Sequence, residues 1–471
     1  AKGTVTPENL TDSTPISGRV ALEIRSTVDQ TFDLSNIAVL FSQAANLDEI
    51  DYALNDDGSI TINDYTGSGA NIVIPDSYTV GGIIYPVTSV GSETFRNNTD
   101  IQSVTLPDTI TSIGESTFNS CSNLTTINLP EGLTEIGANA FDTCRNLTDI
   151  VLPDTLTTIG YQAFWNCTSI TGTLNIPASV ISIGNSALVL QGLTEFTVDA
   201  DSQYFTADNG ILYSKDMTRL LAYPRAKQTT NFVMRSEVRT IDSSAFRYCT
   251  GLSGTLTLSP NLTTIGSEAF YGCSGLTGIL TIPASVTSLG SGSFTYCAFS
   301  AFYVDPDNTA YMSVNGVLYD IDQTTLIQYL HSKTDTSFTM PSSVTLVENH
   351  AFHGAVFSSI TLSPVLNTIR RHAFYDCTRL TTLTIPESVT SVGEECTFYN
   401  MTSLQTVYID SPTVASYLTG TAVDQAGGLL GNSSIETVYI KSDIVSSLAS
   451  WFTANYTQGQ TVDGYTAYTK N

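Results

Sequence analysis

A repeat of 23 residues constrains the fold of this chain more than any other feature of its sequence. The stretch IGANAFDTC, residues 136–144, has a counterpart IGESTFNSC 23 residues earlier and IGYQAFWNC 23 residues later. Eleven units share this pattern, with a central phenylalanine or, once, leucine: Phe95, Phe118, Phe141, Phe164, Leu188, Phe246, Phe270, Phe294, Phe352, Phe374 and Phe398. A period in the twenties is typical of a solenoid, in which each unit buries its apolar face against its neighbours.

One full unit, LTTINLPEGLTEIGANAFDTCRN (residues 124–146), predicts the local structure. Its L-x-x-I-x-L start alternates like a short strand, which Pro130 ends because proline cannot donate to a ladder. Leu133 and Ile136 mark a second extended piece, and Gly137 permits a turn. Residues 138–141 are too few for a full helix and suit one helical turn. The sequence therefore predicts a repeat solenoid, mostly β, with short helical turns.

Two enlarged units overlie the basic repeat. The segments starting at Phe196 and Phe302 match at an offset of 106 residues, so that Gly210 corresponds to Gly316 and Tyr223 to Tyr329. Each carries a glycine-centred turn signal between alternating apolar runs. We predict β-hairpins inserted into the solenoid near residues 196–240 and 302–346.

The copies of LPDTITSIGESTFNSCSNL, together with NGILY and NGVLY in the enlarged units, resemble the BspA-like branch of the leucine-rich repeats over residues 56–409. The resemblance implies a right-handed, curved leucine-rich-repeat solenoid with capped ends. It also implies adhesion or ligand binding rather than catalysis. Members of that family are mostly surface or secreted proteins of mucosal bacteria and some protozoa.

Three regions follow from these patterns. Residues 1–50 are predicted to form an N-terminal extension or cap with a strand and a helix, residues 51–410 the solenoid, and residues 411–471 a C-terminal cap. A solenoid needs its last apolar face covered, which is the reason for assigning caps.

Composition narrows the choice of partner. Acidic residues outnumber basic ones 44 to 18, for a formal charge of −26, which argues against nucleic acid or an anionic membrane surface. No stretch of 18 apolar residues occurs, so no membrane span is predicted. We expect an extracellular or cell-surface monomer whose signal peptide has been removed and whose anchor is not visible.

Seven of the eight cysteines lie three residues after the central aromatic, and Cys396 alone lies elsewhere. Equivalent residues on stacked rungs have parallel Cβ vectors about 4.8 Å apart, whereas a disulfide needs Cβ atoms about 3.8 Å apart. We therefore predict free cysteines that fill the core.

No enzyme and no cofactor are predicted, since there is no P-loop, nucleophile elbow or H-E-x-x-H motif and only four histidines. One column could bind a metal. His350, His372 and Cys396 each lie two residues before the aromatic of successive units, at a position expected to face solvent, and are transition-metal ligand types. The alternative is a chance surface column, because its outer members would be roughly 9.6 Å apart.

The outward positions of the first strand form the better candidate site. Residues just before its last apolar position are mostly Thr, Asn and Tyr; the tentative ligand-binding residues are Thr105, Asn128, Tyr303, Thr384, Tyr408 and Tyr439. Tyrosines are good anchors for a protein or glycan, although Thr and Tyr are also simply good strand formers. The sequence thus favours an adhesin-like protein that binds a host or microbial macromolecule, an extracellular protein or glycan. The alternative is a structural spacer without a ligand of its own.

Overall fold

The structure, a computed structural model, describes residues 43–44, 47–394, 396–418, 429–431 and 434–471. Of the N-terminal region predicted at residues 1–50, residues 1–42 lie outside the described residues, and Gln43–Ala44, at the end of the predicted helix, is a strand. The described part is a β-solenoid in which most rungs, each one turn of the chain, contribute short strands to two sides, and the strands of each side form several separate, mainly parallel sheets. We call these two sides the first and second ladders. The predicted fold class is confirmed.

The first ladder contains the L-x-x-I-x-L strands. Its members are Gln43–Ala44, Asn71–Val73, Ser103–Thr105, Thr126–Ile127, Thr171–Ile176, Gly192–Val198, Thr229–Val233, Leu252–Thr257, Ile279–Ile282, Ala301–Val304, Ser337–Thr339, Ser359–Thr361, Thr382–Ile385, Thr406–Ile409 and Thr437–Lys441. Two antiparallel strands, Tyr465–Lys470 and Tyr456–Val462, follow Thr437–Lys441 at its C-terminal end.

The second ladder contains the short strands that precede each glycine. Its members, with the hairpin strands that join it, are Ile50–Leu54, Ile60–Tyr65, Ser77–Val80, Ile83–Val90, Ser112–Ile113, Glu135–Ile136, Thr158–Ile159, Ser182–Ile183, Phe205–Asp208, Ile211–Ser214, Arg219–Ala222, Thr240–Ile241, Thr264–Ile265, Ser288–Leu289, Tyr311–Val314, Val317–Asp320, Thr325–Gln328, Leu346–Val347, Thr368–Ile369 and Ser391–Val392. Both enlarged units form the predicted hairpins through Asn209-Gly210 and Asn315-Gly316, four residues with positive φ.

Helix is scarce in the described residues. The α-helices are Pro412–Ser416 and Ser450–Asn455, and the 3₁₀ helices are Leu47–Glu49, Leu429–Gly431 and Ser442–Ser447. Ser411 caps the N-terminus of the first α-helix, since its hydroxyl accepts a hydrogen bond from the Val414 amide at 3.1 Å.

Gly137 is required by close packing rather than by its own φ angle. A Cβ at this position would lie 2.6 Å from the backbone nitrogen of Glu115 on the preceding rung. Gly114 and Gly160 meet their preceding rungs at similar distances. The repeated glycine therefore lets the backbones of neighbouring rungs approach each other.

The segment after the glycine is not a helical turn, as the sequence suggested, but a series of three reverse turns. Amides of residues 140, 142 and 144 each bond the carbonyl three residues earlier, while amides 139, 141 and 143 bond the following rung. Asn139 and Thr143 have φ angles of 53° and 64°. Left-handed residues at these two positions turn alternate amides towards the next rung, which a helix could not do.

Phenylalanine and cysteine fill the core of this turn segment. The ring centroids of Phe118 and Phe141 are 5.3 Å apart with the planes within 8°. The Cys144 thiol donates to the Phe118 carbonyl of the preceding rung at 3.1 Å, and the same contact recurs along the column. All eight cysteines are free and seven are buried, as predicted.

Candidate functional site

The strand face, defined as the outward-pointing positions of the first ladder, is in register within each of the separate sheets of that ladder. Thr281 pairs with Tyr303, and Thr384 pairs with Tyr408, which pairs with Tyr439. Thr105 pairs with Val73 near the N-terminal end. The strand face therefore presents one side chain per rung in a row.

Asn128 has a structural contact that accounts for its side chain. Its amide accepts a hydrogen bond from the Leu106 nitrogen and donates one to the Leu106 carbonyl, both at 2.8 Å. Asn175 is similarly engaged, accepting from Thr197 and donating to Asp199. These amides join neighbouring rungs, so they are poorer candidates for ligand contacts than the tyrosines.

Three tyrosines, Tyr408, Tyr439 and Tyr465, form a cluster at the C-terminal end of the strand face. The rings of Tyr408 and Tyr439 stack at 4.7 Å and 13°, and Tyr465 meets Tyr408 edge-on at 5.2 Å. The Tyr465 hydroxyl donates to Asp410 at 2.7 Å. Burial, together with this carboxylate, raises the pKa of Tyr465 to about 12, so its hydroxyl remains a hydrogen-bond donor at neutral pH.

Large apolar side chains are exposed along the rest of the strand face. Val151, Val233, Ile279 and Tyr303 are 72%, 68%, 60% and 50% exposed. Val233 pairs with Thr257 and Tyr303 pairs with Thr281, whereas Val151 lies outside the ladder strands. These exposed apolar groups are spread among threonines and not joined in one row, since Ile279 pairs with Ala301 and not with Tyr303.

The histidine column does not face solvent, although the sequence predicted that it would. His350, His372 and Cys396 have φ angles of 60°, 54° and 56° and are half-buried rather than facing solvent. The same position is left-handed in the other units, for example at Ser116 and Asn139. The left-handed backbone conformation at this position is therefore set by the reverse turns, which the units share.

The histidines line an open groove of about 390 Å³ on the turn segments. We call it the turn-face groove; it is lined by Arg247, Glu268, Tyr271, Tyr296, His350, His353, His372, Tyr375 and Asp376. Two glycines leave space for the rings that line this groove. A Cβ on Gly292 would lie 3.1 Å from the His350 ring, and one on Gly354 would lie 3.0 Å from the Tyr296 ring. His331, the fourth histidine of the chain, packs edge-on against Tyr296 with ring centroids 5.7 Å apart.

Hydrogen bonds connect these groups in a chain. His350 Nδ1 lies 2.9 Å from His353 Nδ1, and His353 Nε2 lies 2.9 Å from the Tyr296 hydroxyl. That hydroxyl donates to Asp376. Burial, followed by the charges of neighbouring histidines, lowers the pKa of both His350 and His353 to about 3, so both rings are neutral at physiological pH.

The proposed metal column does not assemble. The rings of His350 and His372 are 4.9 Å apart, but Cys396 does not line the groove. Within the ranges that the structure describes, no three His, Cys, Asp or Glu side chains are grouped so that they could hold a metal ion. The histidines contact each other and neighbouring tyrosines instead.

Sequence reasoning missed Tyr271, Tyr296 and Tyr375 as part of this groove. They sit one or two residues after the central phenylalanine of their units, positions that the repeat leaves variable. An aromatic residue recurring there in neighbouring units was the available signal.

Comparison with known proteins decides the family. Six copies of the profile described as "BspA type Leucine rich repeat region" match residues 87–209, 222–314 and 328–454, well over half of the chain. This chain belongs to the BspA-type leucine-rich repeat family. A search of curated proteins gives no match.

Solved structures of bacterial leucine-rich repeat proteins are similar to it. One from Eubacterium ventriosum is 28% identical, with a TM-score of 0.51, over 75% of this chain and 92% of that one. A leucine-rich cell surface protein from Faecalibacterium prausnitzii is 24% identical, with a TM-score of 0.41, over 85% and 96%. The pneumococcal vaccine antigen PcpA is 21% identical, with a TM-score of 0.37, over 85% and 87%.

The helices of the described part are also short for a membrane. The longer of its two α-helices, Ser450–Asn455, has six residues, and none of its helices is long and apolar enough to cross a bilayer.

Proposed function

We propose that this protein is an exported, surface-associated binding protein that holds an extracellular protein or glycan through its strand face. The observation that carries the proposal is the stacked Tyr408–Tyr439 pair on the strand face, together with the exposed side chains of Val233, Ile279 and Tyr303 elsewhere on it. Membership of a family with cell-surface relatives supports the location.

The chemistry of this surface suits an adhesin-like contact. Flat tyrosine rings offer contact area at low conformational cost, and a hydroxyl for a hydrogen bond. Thr384 adds a short polar side chain in register with Tyr408, and Thr406 pairs with Thr382 two residues earlier on the same strands. A broad neutral strip of this kind fits a protein surface or a glycan chain better than a small charged molecule.

The test begins with an array of mucosal glycans and extracellular matrix proteins probed with the purified protein. A hit is then tested by pull-down with Tyr408→Ala plus Tyr439→Ala. Tyrosine anchors at an interface contribute about 2 kcal/mol or more each, so capture by the double variant should be lost. Tyr408→Phe plus Tyr439→Phe, which keeps the ring stack, should retain most of it.

A different result would support the spacer alternative. The strand face has no partner if neither the glycans nor the matrix proteins of the array give a ligand, and if cells that display the protein bind to the array no better than cells without it. A ligand that the double alanine variant captures as well as the wild type would place binding elsewhere.

A further inference from the structure

The two enlarged units share one architecture but differ in one internal space. The register is the same in both, since Leu220 pairs with Ile241 in the first unit and Leu326 with Val347 in the second. Equivalent residues are 106 positions apart in this part of the chain. Differences between the two spaces therefore come from the side chains.

In the first unit an arginine of the chain itself occupies the space beside an acidic residue. Arg219 Nε lies 2.5 Å from Asp242 Oδ1, and its Nη2 lies 3.2 Å from Asn185 Oδ1. The cavity that remains beside Asp242 has a volume of about 10 Å³. This is room for a single water molecule at most.

In the second unit the arginine is missing. Thr325 takes its place, Glu348 replaces Asp242 and Ser291 replaces Asn185. A cavity of about 360 Å³ opens there, within the range of small-ligand pockets. Its polar lining includes Asp320, Thr325, Gln328, Glu348, Asn349 and Arg370.

At four aligned positions the two spaces differ by one unit of charge; Arg225 also lines the first space. Ser214, Arg219 and Asp242 of the first unit align with Asp320, Thr325 and Glu348 of the second at the offset of 106. Gly266 aligns with Arg370 at an offset of 104, because the second unit is followed by a repeat that is two residues shorter. The first set is neutral, with one cation and one anion, whereas the second has two anions and one cation. One further cation in the second cavity would restore the balance of the first.

Arg370 does not take the place of the missing guanidinium. It belongs to the rung after Glu348, whereas Arg219 belongs to the hairpin strand before Asp242. Its Nη1 lies 3.3 Å from Glu348 Oε1, and its side chain is 46% exposed. Glu348 Oε2 lies 3.4 Å from the same nitrogen and accepts a hydrogen bond from the Asn349 amide at 3.2 Å. The Glu348 side chain is 25% exposed and lines the cavity.

We propose that this cavity binds the guanidinium group of an arginine side chain from a protein ligand, in the way that Arg219 fills the first unit. Glu348 and Ser291 stand where Asp242 and Asn185 accept from Arg219. Two separate nitrogens of Arg219 bond two acceptors, which matches the fork of a guanidinium and not the single ammonium of lysine. The site lies on the second ladder and is independent of the strand face.

The test uses the full chain and two blocked pentapeptides that differ only in a central arginine or lysine. Titration calorimetry or NMR should show one saturable site for the arginine peptide, at least about tenfold tighter than for the lysine peptide. Glu348→Gln should weaken binding by at least about tenfold, as expected for a lost charge-assisted contact.

Thr325→Arg is the decisive variant, because it supplies the guanidinium from the chain itself. It should abolish peptide binding without lowering the melting temperature. Thr148→Arg adds the same charge at an exposed threonine and should bind the peptide normally, as should Tyr408→Ala plus Tyr439→Ala. No saturable binding by the wild type, no preference for arginine, or equal binding by Thr325→Arg would overturn the proposal.

Discussion

Acidification should destabilise this protein through the two histidines buried in the turn-face groove. Burial lowers the pKa of His350 and His353 from the ordinary 6.5 to about 3. The folded state therefore holds both rings neutral, whereas the unfolded chain protonates them below pH 6.5. Their contribution to stability is complete above that pH and is lost as the pH falls from 6.5 towards 3.

The size of the effect follows from these values. A pH of 5 is about 1.5 units below the ordinary histidine pKa of 6.5. Protonation of each histidine therefore stabilises the unfolded chain by about 2 kcal/mol at that pH. The pair gives about 4 kcal/mol as an upper figure, because the two rings are coupled by the Nδ1–Nδ1 contact at 2.9 Å. Protonating both rings would also break that hydrogen bond, since one of the nitrogens must accept.

Denaturant unfolding at pH 7 and pH 5 measures this difference. The comparison is between the wild type and His350→Asn plus His353→Gln. Asparagine tolerates the φ of 60° at position 350, and glutamine keeps an amide near the Tyr296 hydroxyl. The wild type should lose several kcal/mol more than the variant on acidification, while their carboxylates contribute equally. Equal losses in the two proteins would refute the reasoning.

Three further predictions concern the repeat itself. Gly137→Ala should lower the free energy of unfolding by about 3 kcal/mol, because its Cβ would meet the Glu115 nitrogen at 2.6 Å; thermal denaturation measures this, and an unchanged melting temperature would contradict it. Asn139→Ala should cost about 1 kcal/mol at a φ of 53°, whereas Asn139→Gly should be nearly neutral in the same assay, so equal effects would argue against the left-handed turn. Cys144→Ala should cost about 1–2 kcal/mol through the lost sulfur packing and its bond to Phe118, and thiol titration of the unfolded, unreduced wild type should count close to eight free thiols.

The solenoid could be predicted from sequence because its repeat is regular and each repeated residue has a packing reason. Phe141 and Cys144 recur because they fill the core between rungs. The sequence predicted a turn at Gly137 but not its close contact with the preceding rung, because an approach between backbones of two rungs leaves no local signal in the sequence. The three reverse turns were missed because a four-residue segment has no periodicity to separate a turn from a helix.

The turn-face groove and the cavity beside Thr325 depend on contacts between residues far apart in the sequence, which the repeat pattern does not show. Tyr296 and His353 are 57 residues apart but hydrogen-bonded, because the enlarged unit interrupts the stack of turn segments between them. The replacement of Arg219 by Thr325 is visible in the sequence, but its consequence is not. Only the structure shows that Arg219 contacts Asp242 and that Thr325 lines an open space.

The affinity of a ligand found by the arrays, compared across two pairs of tyrosines, tests the central proposal most directly. The first pair is Tyr408 and Tyr439 on the strand face; the second is Tyr161 and Tyr399 on the turn segments, which are 51% and 44% exposed. Double alanine substitution of the first pair should raise Kd by at least about 30-fold, and substitution of the second pair should leave it unchanged. An equal effect of both, or an effect of the second pair alone, would contradict binding through the strand face.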